Sequence, residues 1–158
     1  MLEPVSSRFA NRTVHVSGAS TGLGRALAVA FAREGAWVSI GYHRHARDAQ
    51  QTLATIEADG GAGGLLSYDV RDPAQVEAAI AQLQEQRGSI DVLVNNAGIA
   101  HDAPFPLMDA AQFNDVIQVN LGGTFHLCRA VVPHMMLKRR GAIVNIGSVA
   151  GPWASPGQ

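Results

Sequence analysis

The chain has 158 residues, of which 47% are hydrophobic and 16% charged, and its formal net charge is −1. These values fit one folded domain, and the lack of basic blocks argues against a protein that binds nucleic acid or an anionic membrane surface. No apolar run is long enough to span a bilayer, the amino terminus has no apolar signal-like core, and there is one cysteine. We therefore expect a cytoplasmic protein without a disulfide.

Short β-rich runs alternate with longer amphipathic segments along the chain. Strands are predicted at 13–17, 37–41, 64–70, 90–96 and 141–148, and helices at 24–36, 46–61, 73–86 and 110–139. Asp72 and Pro73 form a typical helix start, with a capping carboxylate and a proline at the first helical position. Five strands alternating with four helical segments predict an α/β fold with a doubly wound parallel sheet, in a single domain over residues 1–158.

A glycine-rich turn, "SGASTGLGR", follows the first strand and contains Gly18, Gly22 and Gly24. Glycine allows a tight turn and a close approach of the backbone to a pyrophosphate, and the next helix would point its first N–H groups at that anion. The same letters also match G-x-S-x-G, the nucleophile elbow of α/β-hydrolases, with Ser20 as the nucleophile. Only 17 residues precede Gly18, too few for the strands that come before such an elbow.

Three further motifs follow in order: "NNAG" at 95–98, "VNLGG" containing Asn120, and "NIGS" ending at Ser148. Together with the glycine turn they resemble the short-chain dehydrogenase/reductase family over residues 13–158, and within it most of all the 3-oxoacyl-[acyl-carrier-protein] reductases. The resemblance implies a Rossmann fold that is incomplete at its carboxyl end. It also implies an oxidoreductase that exchanges a hydride between a nicotinamide cofactor and a small or carrier-bound carbonyl substrate.

The resemblance assigns roles to individual positions. Asn120 would interrupt its helix and hold a water of a proton relay, and Ser148 would donate a hydrogen bond to the substrate carbonyl oxygen. Asp69 and Val70 would hold the adenine ring. The full set of predicted cofactor-binding residues is Gly18, Ser20, Thr21, Gly22, Leu23, Gly24, His43, Arg44, Asp69, Val70, Asn96, Ala97 and Gly98.

The segment after the second strand bears on which cofactor is used. Relatives that prefer NAD usually carry an aspartate at about Tyr42, whereas this chain has no acid there and continues with His43 and Arg44. Because a guanidinium suits a 2′-phosphate, NADP(H) is favoured over NAD(H). Thr21 stands where many NADP-dependent relatives carry a base. The six histidines show no metal-ligand spacing, so we predict no metal.

The resemblance also implies a catalytic tyrosine about a dozen residues after Ser148 and a lysine four residues later. Both positions fall beyond Gln158, so we expect residues 1–158 to be part of a longer polypeptide or a truncated gene product, and to be inactive alone. The alternatives left open are a related sugar or alcohol dehydrogenase and a non-catalytic dinucleotide-binding fragment. The long fourth helix resembles one through which relatives form dimers and tetramers, which predicts a homo-oligomer.

Overall fold

The computed structural model describes residues 8–149, which form a parallel β-sheet flanked by helices. Residues 1–7 and 150–158, including the Gly- and Pro-rich segment after Ser148, lie outside the described range. The strands are β1 (Thr13–Val16), β2 (Trp37–Tyr42), β3 (Ala62–Ser67), β4 (Val92–Asn95) and β5 (Ala142–Asn145). The helices are α1 (Gly22–Arg33), α2 (Ala46–Ala58), α3 (Pro73–Arg87), α4 (Ala110–Ile117) and α5 (Gly123–Leu137), with a short 3₁₀ turn at Phe105–Leu107.

The strand order is β3-β2-β1-β4-β5, and every neighbouring pair is parallel. The chain first builds outward from β1 to β3 and then crosses back to add β4 and β5 on the other side. This is the doubly wound arrangement that the sequence predicted. It places a topological switch point between β1 and β4, where open α/β sheets bind their ligands.

Two apolar clusters cover the two faces of the sheet. One joins Val14, Val16 and Val38 to the small buried residues of α1 and α2. The other joins Leu93 to the apolar stripe of α3 and the buried face of α5. Burial on both faces explains why the central strands are almost continuously apolar in sequence.

Two predicted elements differ from the structure. The third strand was expected to run to residue 70, but β3 ends at Ser67, so Asp69 lies in the following loop. The helix predicted at 110–139 is divided, because α4 passes into a π-helical segment, Gln118–Gly122, before α5 begins. The apolar spacing within each of the two helices is that of an ordinary α-helix, so the periodicity did not show the division, which only the resemblance placed at Asn120.

The amino-terminal ends of three strands are held together by the buried carboxylate of Asp91. Its Oδ2 accepts the backbone N–H of Thr13 at 2.9 Å. Its Oδ1 lies 3.1 Å from Nη1 of Arg12 and 2.9 Å from Nη2 of Arg140. These contacts fix the amino-terminal ends of β1, β4 and β5, which lie at the end of the sheet opposite the candidate site.

Large apolar side chains are exposed along α4, α5 and the segment before them. Phe105, Phe113, Leu121, Phe125 and Leu137 are all more than half exposed. Strand β5 is at the edge of the sheet, and its four residues are also exposed. The described part of the chain therefore exposes several large apolar side chains on α4, α5 and the segments next to them.

Candidate functional site

A cleft of about 500 Å³ opens at the carboxyl ends of the parallel strands. It is lined by residues from the loops that follow β1, β2, β3 and β4, together with Asp115 of α4 and Val119 of the π-helical segment. Because these loops meet at the switch point of the sheet, the cleft is the candidate functional site.

Two glycines let the loop after β1 lie directly against the loop after β4. Gly18 has a φ of +63°, and a Cβ there would lie only 2.9 Å from the Cα of Ala97. A Cβ on Gly24 would overlap the carbonyl oxygen of Gly18 and the side-chain amide of Asn96. Any side chain at either position would therefore push the two loops apart.

Helix α1 presents its amino-terminal end to the cleft. Thr21 is the N-cap residue, with φ −144° and ψ 175°, and its side chain makes no capping hydrogen bond. The first turn carries no acidic residue. The N–H groups of that turn and the helix dipole together favour an anion at this place.

Ser17 and Asn96 join the ends of β1 and β4. The Ser17 hydroxyl accepts the backbone N–H groups of Asn96 and Ala97, both at 3.0 Å. The Asn96 amide donates back to the carbonyls of Ser17 and Gly18 at 3.0 and 3.1 Å. The floor of the cleft is thus a hydrogen-bonded unit made from both loops.

The wall formed by the loop after β3 contains an ion pair that the sequence did not predict. The Arg71 guanidinium contacts both carboxylate oxygens of Asp69, with 2.7 Å between Nη2 and Oδ2. Its Nη1 donates to Oδ1 of Asp115 at 2.7 Å. The hydrogen bonds from Arg71 are the main reason that the pKa of Asp69 is lowered to about 2. Asp69 is therefore a carboxylate that only accepts hydrogen bonds at neutral pH.

Positively charged and titratable side chains lie beside this carboxylate, after β2. His43 places its Nε2 atom 3.7 Å from Oδ2 of Asp69. Arg44 lines the cleft and is exposed. Residues 42–45 include no acid, so the loop after β2 adds no negative charge beside Asp69.

A buried polar chain lies under the same end of the cleft. The Tyr68 hydroxyl is 2.6 Å from Nε2 of His15, and Nδ1 of His15 is 2.9 Å from the Ser39 hydroxyl. His15 is fully buried, and burial lowers its pKa to about 4. Burial raises the pKa of Tyr68. Both rings are therefore neutral at pH 7, and Tyr68, which lines the cleft, is held to β1.

Asn120 lies in the π-helical segment and is paired with the loop after β4. Its Oδ1 accepts the N–H of Ile99 at 2.9 Å, and its Nδ2 donates to the carbonyl of Ile99 at 3.0 Å. The Thr124 hydroxyl donates to the Asn120 carbonyl at 2.9 Å. The helix is interrupted at Asn120, as the resemblance implied, while its part in a proton relay stays a prediction.

Ser148 lies three residues beyond β5 and is exposed. The end of β5 is fixed to β4, because Nδ2 of Asn95 donates to Oδ1 of Asn145 at 2.8 Å and the N–H of Ile146 donates to the Asn95 carbonyl at 2.9 Å. Ser148 therefore follows the carboxyl end of a strand on the same edge of the sheet as the cleft. Its contact with a substrate stays a prediction.

Twelve of the thirteen predicted cofactor-binding residues line the cleft. They are Gly18, Ser20, Thr21, Leu23, Gly24, His43, Arg44, Asp69, Val70, Asn96, Ala97 and Gly98. The thirteenth, Gly22, begins α1 beside it. Asn120 and Ser148 are outside this lining. The geometry shows that the set is brought together, and the individual roles remain predictions.

The sequence did not single out Arg71, Asp115, His15 or Tyr68 as functional residues. No motif connects Arg71 with Asp115, which is 44 residues away. For His15 a signal did exist, because a histidine inside the apolar strand "TVHVS" needs buried polar partners.

The nucleophile elbow does not fit this geometry. Ser20 is 6% exposed, and its carbonyl accepts from Nη2 of Arg25 at 2.7 Å, which holds it inside the loop. Within residues 8–149, no group of three or more histidine, cysteine, aspartate or glutamate residues is arranged to hold a metal ion. No helix in the same range is long and apolar enough to cross a bilayer.

The sheet order, the glycine-rich turn and the helix amino terminus at the switch point define a doubly wound α/β domain of the Rossmann type. Residues 12–158 match the family model described as short chain dehydrogenase. The chain therefore belongs to the short-chain dehydrogenase/reductase family, a family of oxidoreductases.

Similar proteins include two that are named 3-oxoacyl-[acyl-carrier-protein] reductase FabG. The one from Staphylococcus aureus is 39% identical over 143 residues, covering 90% of this chain and 58% of the relative. The one from Escherichia coli is 40% identical over 150 residues, covering 95% and 60%. The chain thus spans about three fifths of the length of these relatives.

Two solved structures have the same fold. A metagenomic short-chain oxidoreductase in complex with NADP has a TM-score of 0.85 and 32% identity, over 90% of this chain and 65% of that one. A short-chain dehydrogenase/reductase from Burkholderia xenovorans, described as putative, has a TM-score of 0.91 and 35% identity, over 97% and 63%.

Proposed function

We propose that the protein is an NADPH-dependent reductase that transfers a hydride to the carbonyl carbon of a 3-oxoacyl thioester on an acyl carrier protein. Family membership supports the reaction type, and the relatives at 39% and 40% identity support the substrate. The observation that carries the proposal is the meeting of Gly18, Gly24 and the amino terminus of α1 in one cleft. Because the chain spans about three fifths of these relatives, activity and substrate are proposals for the whole protein.

The residues of the cleft fit a dinucleotide. Gly18 and Gly24 form a cradle that a Cβ would fill, and α1 offers uncapped N–H groups for a pyrophosphate. Asp69 and Val70 would hold the adenine. Arg44 would pair with a 2′-phosphate, which favours NADP(H) over NAD(H).

The cofactor, when bound, supplies the hydride. The Ser148 hydroxyl would donate to the substrate carbonyl oxygen and stabilise the charge that develops there. Asn120, fixed by both backbone groups of Ile99, would hold a water that relays the proton. In the whole protein, a tyrosine would donate the proton and a lysine would lower the pKa of that tyrosine, as the resemblance implies.

Substitution of Thr21 tests the binding of the cofactor phosphates. Thr21→Asp adds a negative charge where the pyrophosphate would lie, so NADPH should bind at least about tenfold more weakly. Aspartate is at least as good an N-cap residue as threonine, so the melting temperature should not fall. Isothermal titration with NADPH measures the affinity.

Thr21→Asn is the matched control, because asparagine also caps a helix but carries no charge. It should bind NADPH as the wild type does. Equal NADPH affinity in Thr21→Asp and Thr21→Asn would show that no phosphate lies at the end of α1, and the proposed cofactor site would then be wrong.

The substrate is tested by NADPH oxidation with a 3-oxoacyl thioester, a keto sugar and a simple ketone. Faster oxidation with the thioester supports the proposal. Turnover of only the sugar or the ketone would favour the alternative of a sugar or alcohol dehydrogenase. NADPH binding without turnover of any of the three would favour the non-catalytic alternative.

We also propose that the protein forms a homo-oligomer through α4 and α5. The exposed apolar side chains of these helices support it, since apolar patches of this kind mark protein interfaces. Sedimentation of the wild type and of Phe125→Glu measures the mass in solution, and a wild type that sediments as a monomer would contradict the proposal.

A further inference from the structure

Arg71 lines the cleft and joins two carboxylates that line it as well. Its Nε lies 3.1 and 3.0 Å from the two oxygens of Asp69, and its Nη2 lies 2.7 Å from Oδ2. Its backbone N–H also donates to Oδ1 of Asp69 at 3.0 Å. One residue thus supplies three N–H donors to a single carboxylate.

These donors use most of the acceptor capacity of Asp69. The backbone N–H and Nε of Arg71 contact Oδ1, and Nε and Nη2 contact Oδ2, so that the Nε–H group is shared between the two oxygens. His43 lies 3.7 Å away, beyond hydrogen-bond distance. Since an ionised carboxylate has about four lone-pair positions, three N–H groups leave acceptor capacity for about one further donor.

The far side of the guanidinium is fixed too. Nη1 of Arg71 donates to Oδ1 of Asp115 on α4 at 2.7 Å. The loop that carries Asp69 and Arg71 is also held by His126, whose Nδ1 lies 2.9 Å from the Val70 carbonyl. The Arg71 guanidinium is therefore bound to Asp69 on one side and to Asp115 on the other. Because the guanidinium is fixed, the Asp69 carboxylate has little freedom to rotate.

We propose that Arg71 is a positioning residue that makes the cleft select a 6-aminopurine over a 6-oxopurine. The inference rests on the proposed function, in which Asp69 contacts the base of a dinucleotide. The amino group of adenine donates to the remaining acceptor position. Hypoxanthine places a carbonyl oxygen there, and its nearest donor, N1–H, is displaced to the side. A carboxylate that is free to turn could follow that donor, whereas the one held by Arg71 cannot.

The test compares the dissociation constants of NADPH and of its hypoxanthine analogue, by titration of the purified protein. A site built to pair with a polar group rejects a ligand that lacks it, so the wild type should prefer NADPH by roughly ten- to a hundredfold. Arg71→Met keeps the length of the side chain but removes the donors. Its preference should fall below about threefold.

Arg129→Met is the control, because Arg129 pairs with Glu77, and neither residue lines the cleft. Its preference should equal that of the wild type. If Arg71→Met binds both nucleotides more weakly by the same factor, Arg71 is only structural and the proposal is wrong. If Arg71→Met does not fold, Asp115→Asn is used instead, because it weakens the contact between Arg71 and α4. A preference for NADPH in Asp115→Asn that equals that of the wild type would overturn the proposal.

Nucleotide binding by the wild type distinguishes a failure of this inference from a failure of the proposed function. If it binds NADPH and the hypoxanthine analogue equally, the selection by Arg71 is wrong and the dinucleotide site stands. If it binds neither nucleotide, the proposed function fails and the inference fails with it.

Discussion

The protonation of His15 should make the protein less stable as the pH falls below neutral. His15 is fully buried between β2 and β4, with both ring nitrogens hydrogen-bonded. Burial lowers its pKa from 6.5 to about 4. Below pH 6.5 the imidazole of His15 therefore binds a proton in the unfolded chain, whereas in the folded chain it binds one only near pH 4. The stabilisation is complete above pH 6.5 and is lost between pH 6.5 and 4.

The size of the effect follows from that interval. One pKa unit corresponds to 1.36 kcal/mol, so the loss between pH 7 and pH 4 should be about 3 kcal/mol. This is a large part of the 5–15 kcal/mol by which typical proteins are stable. The measurement is urea unfolding of the wild type and of His15→Gln at several pH values.

The comparison isolates His15, because all other titrating groups are common to the two proteins. Glutamine can donate and accept as the imidazole does, but it does not titrate. The free energy of unfolding of the wild type should fall by about 3 kcal/mol more than that of His15→Gln between pH 7 and pH 4. Tyr68→Phe should keep the wild-type pH dependence, since burial and not the tyrosine sets the pKa. Parallel curves for the wild type and His15→Gln would refute this reasoning.

Two further predictions concern the cleft. Arg44→Ala should weaken NADPH binding at least about tenfold and leave NADH unchanged, because only NADPH carries the 2′-phosphate; titration with both cofactors checks this, and Arg129→Ala controls for the change in net charge. Gly24→Ala should lower both the melting temperature and NADPH affinity, because its Cβ would overlap the Asn96 amide, whereas Gly122→Ala, whose Cβ would meet only a carbonyl oxygen at 3.8 Å, should change neither. Equal behaviour of the two alanine variants in a thermal melt would contradict the second prediction.

The elements of the sheet could be predicted because each signal is local. The apolar run at 92–94 reads as a strand buried on both faces, and Asp72 accepts the N–H groups of Ala74 and Gln75, as expected of a helix cap. The glycine-rich turn indicated that two loops approach each other closely, because only glycine fits at positions 18 and 24. In these cases a few neighbouring residues determine the outcome.

The parts that could not be predicted depend on contacts between distant segments. Arg71 and Asp115 are 44 residues apart, and an arginine in a loop has the same local pattern whether or not it holds a carboxylate. The resemblance implied an interruption at Asn120, but not that the side chain of Asn120 pairs with the backbone of Ile99, 21 residues earlier. Neither contact leaves a periodicity or a spacing in the sequence.

The π-helical segment between α4 and α5 behaves as a single inserted residue. A π turn holds one residue more than the α turn it replaces, and each α-helical residue advances the side chains by about 100°. The inserted residue therefore turns α5 by about 100° relative to an uninterrupted continuation of α4. We expect that deletion of Val119 would turn Asn120 away from Ile99 and rotate Leu127, Val131 and Met135 out of the apolar cluster that they form with Leu93. One inserted residue thus sets both the reach of Asn120 and the face of α5 that packs in the core.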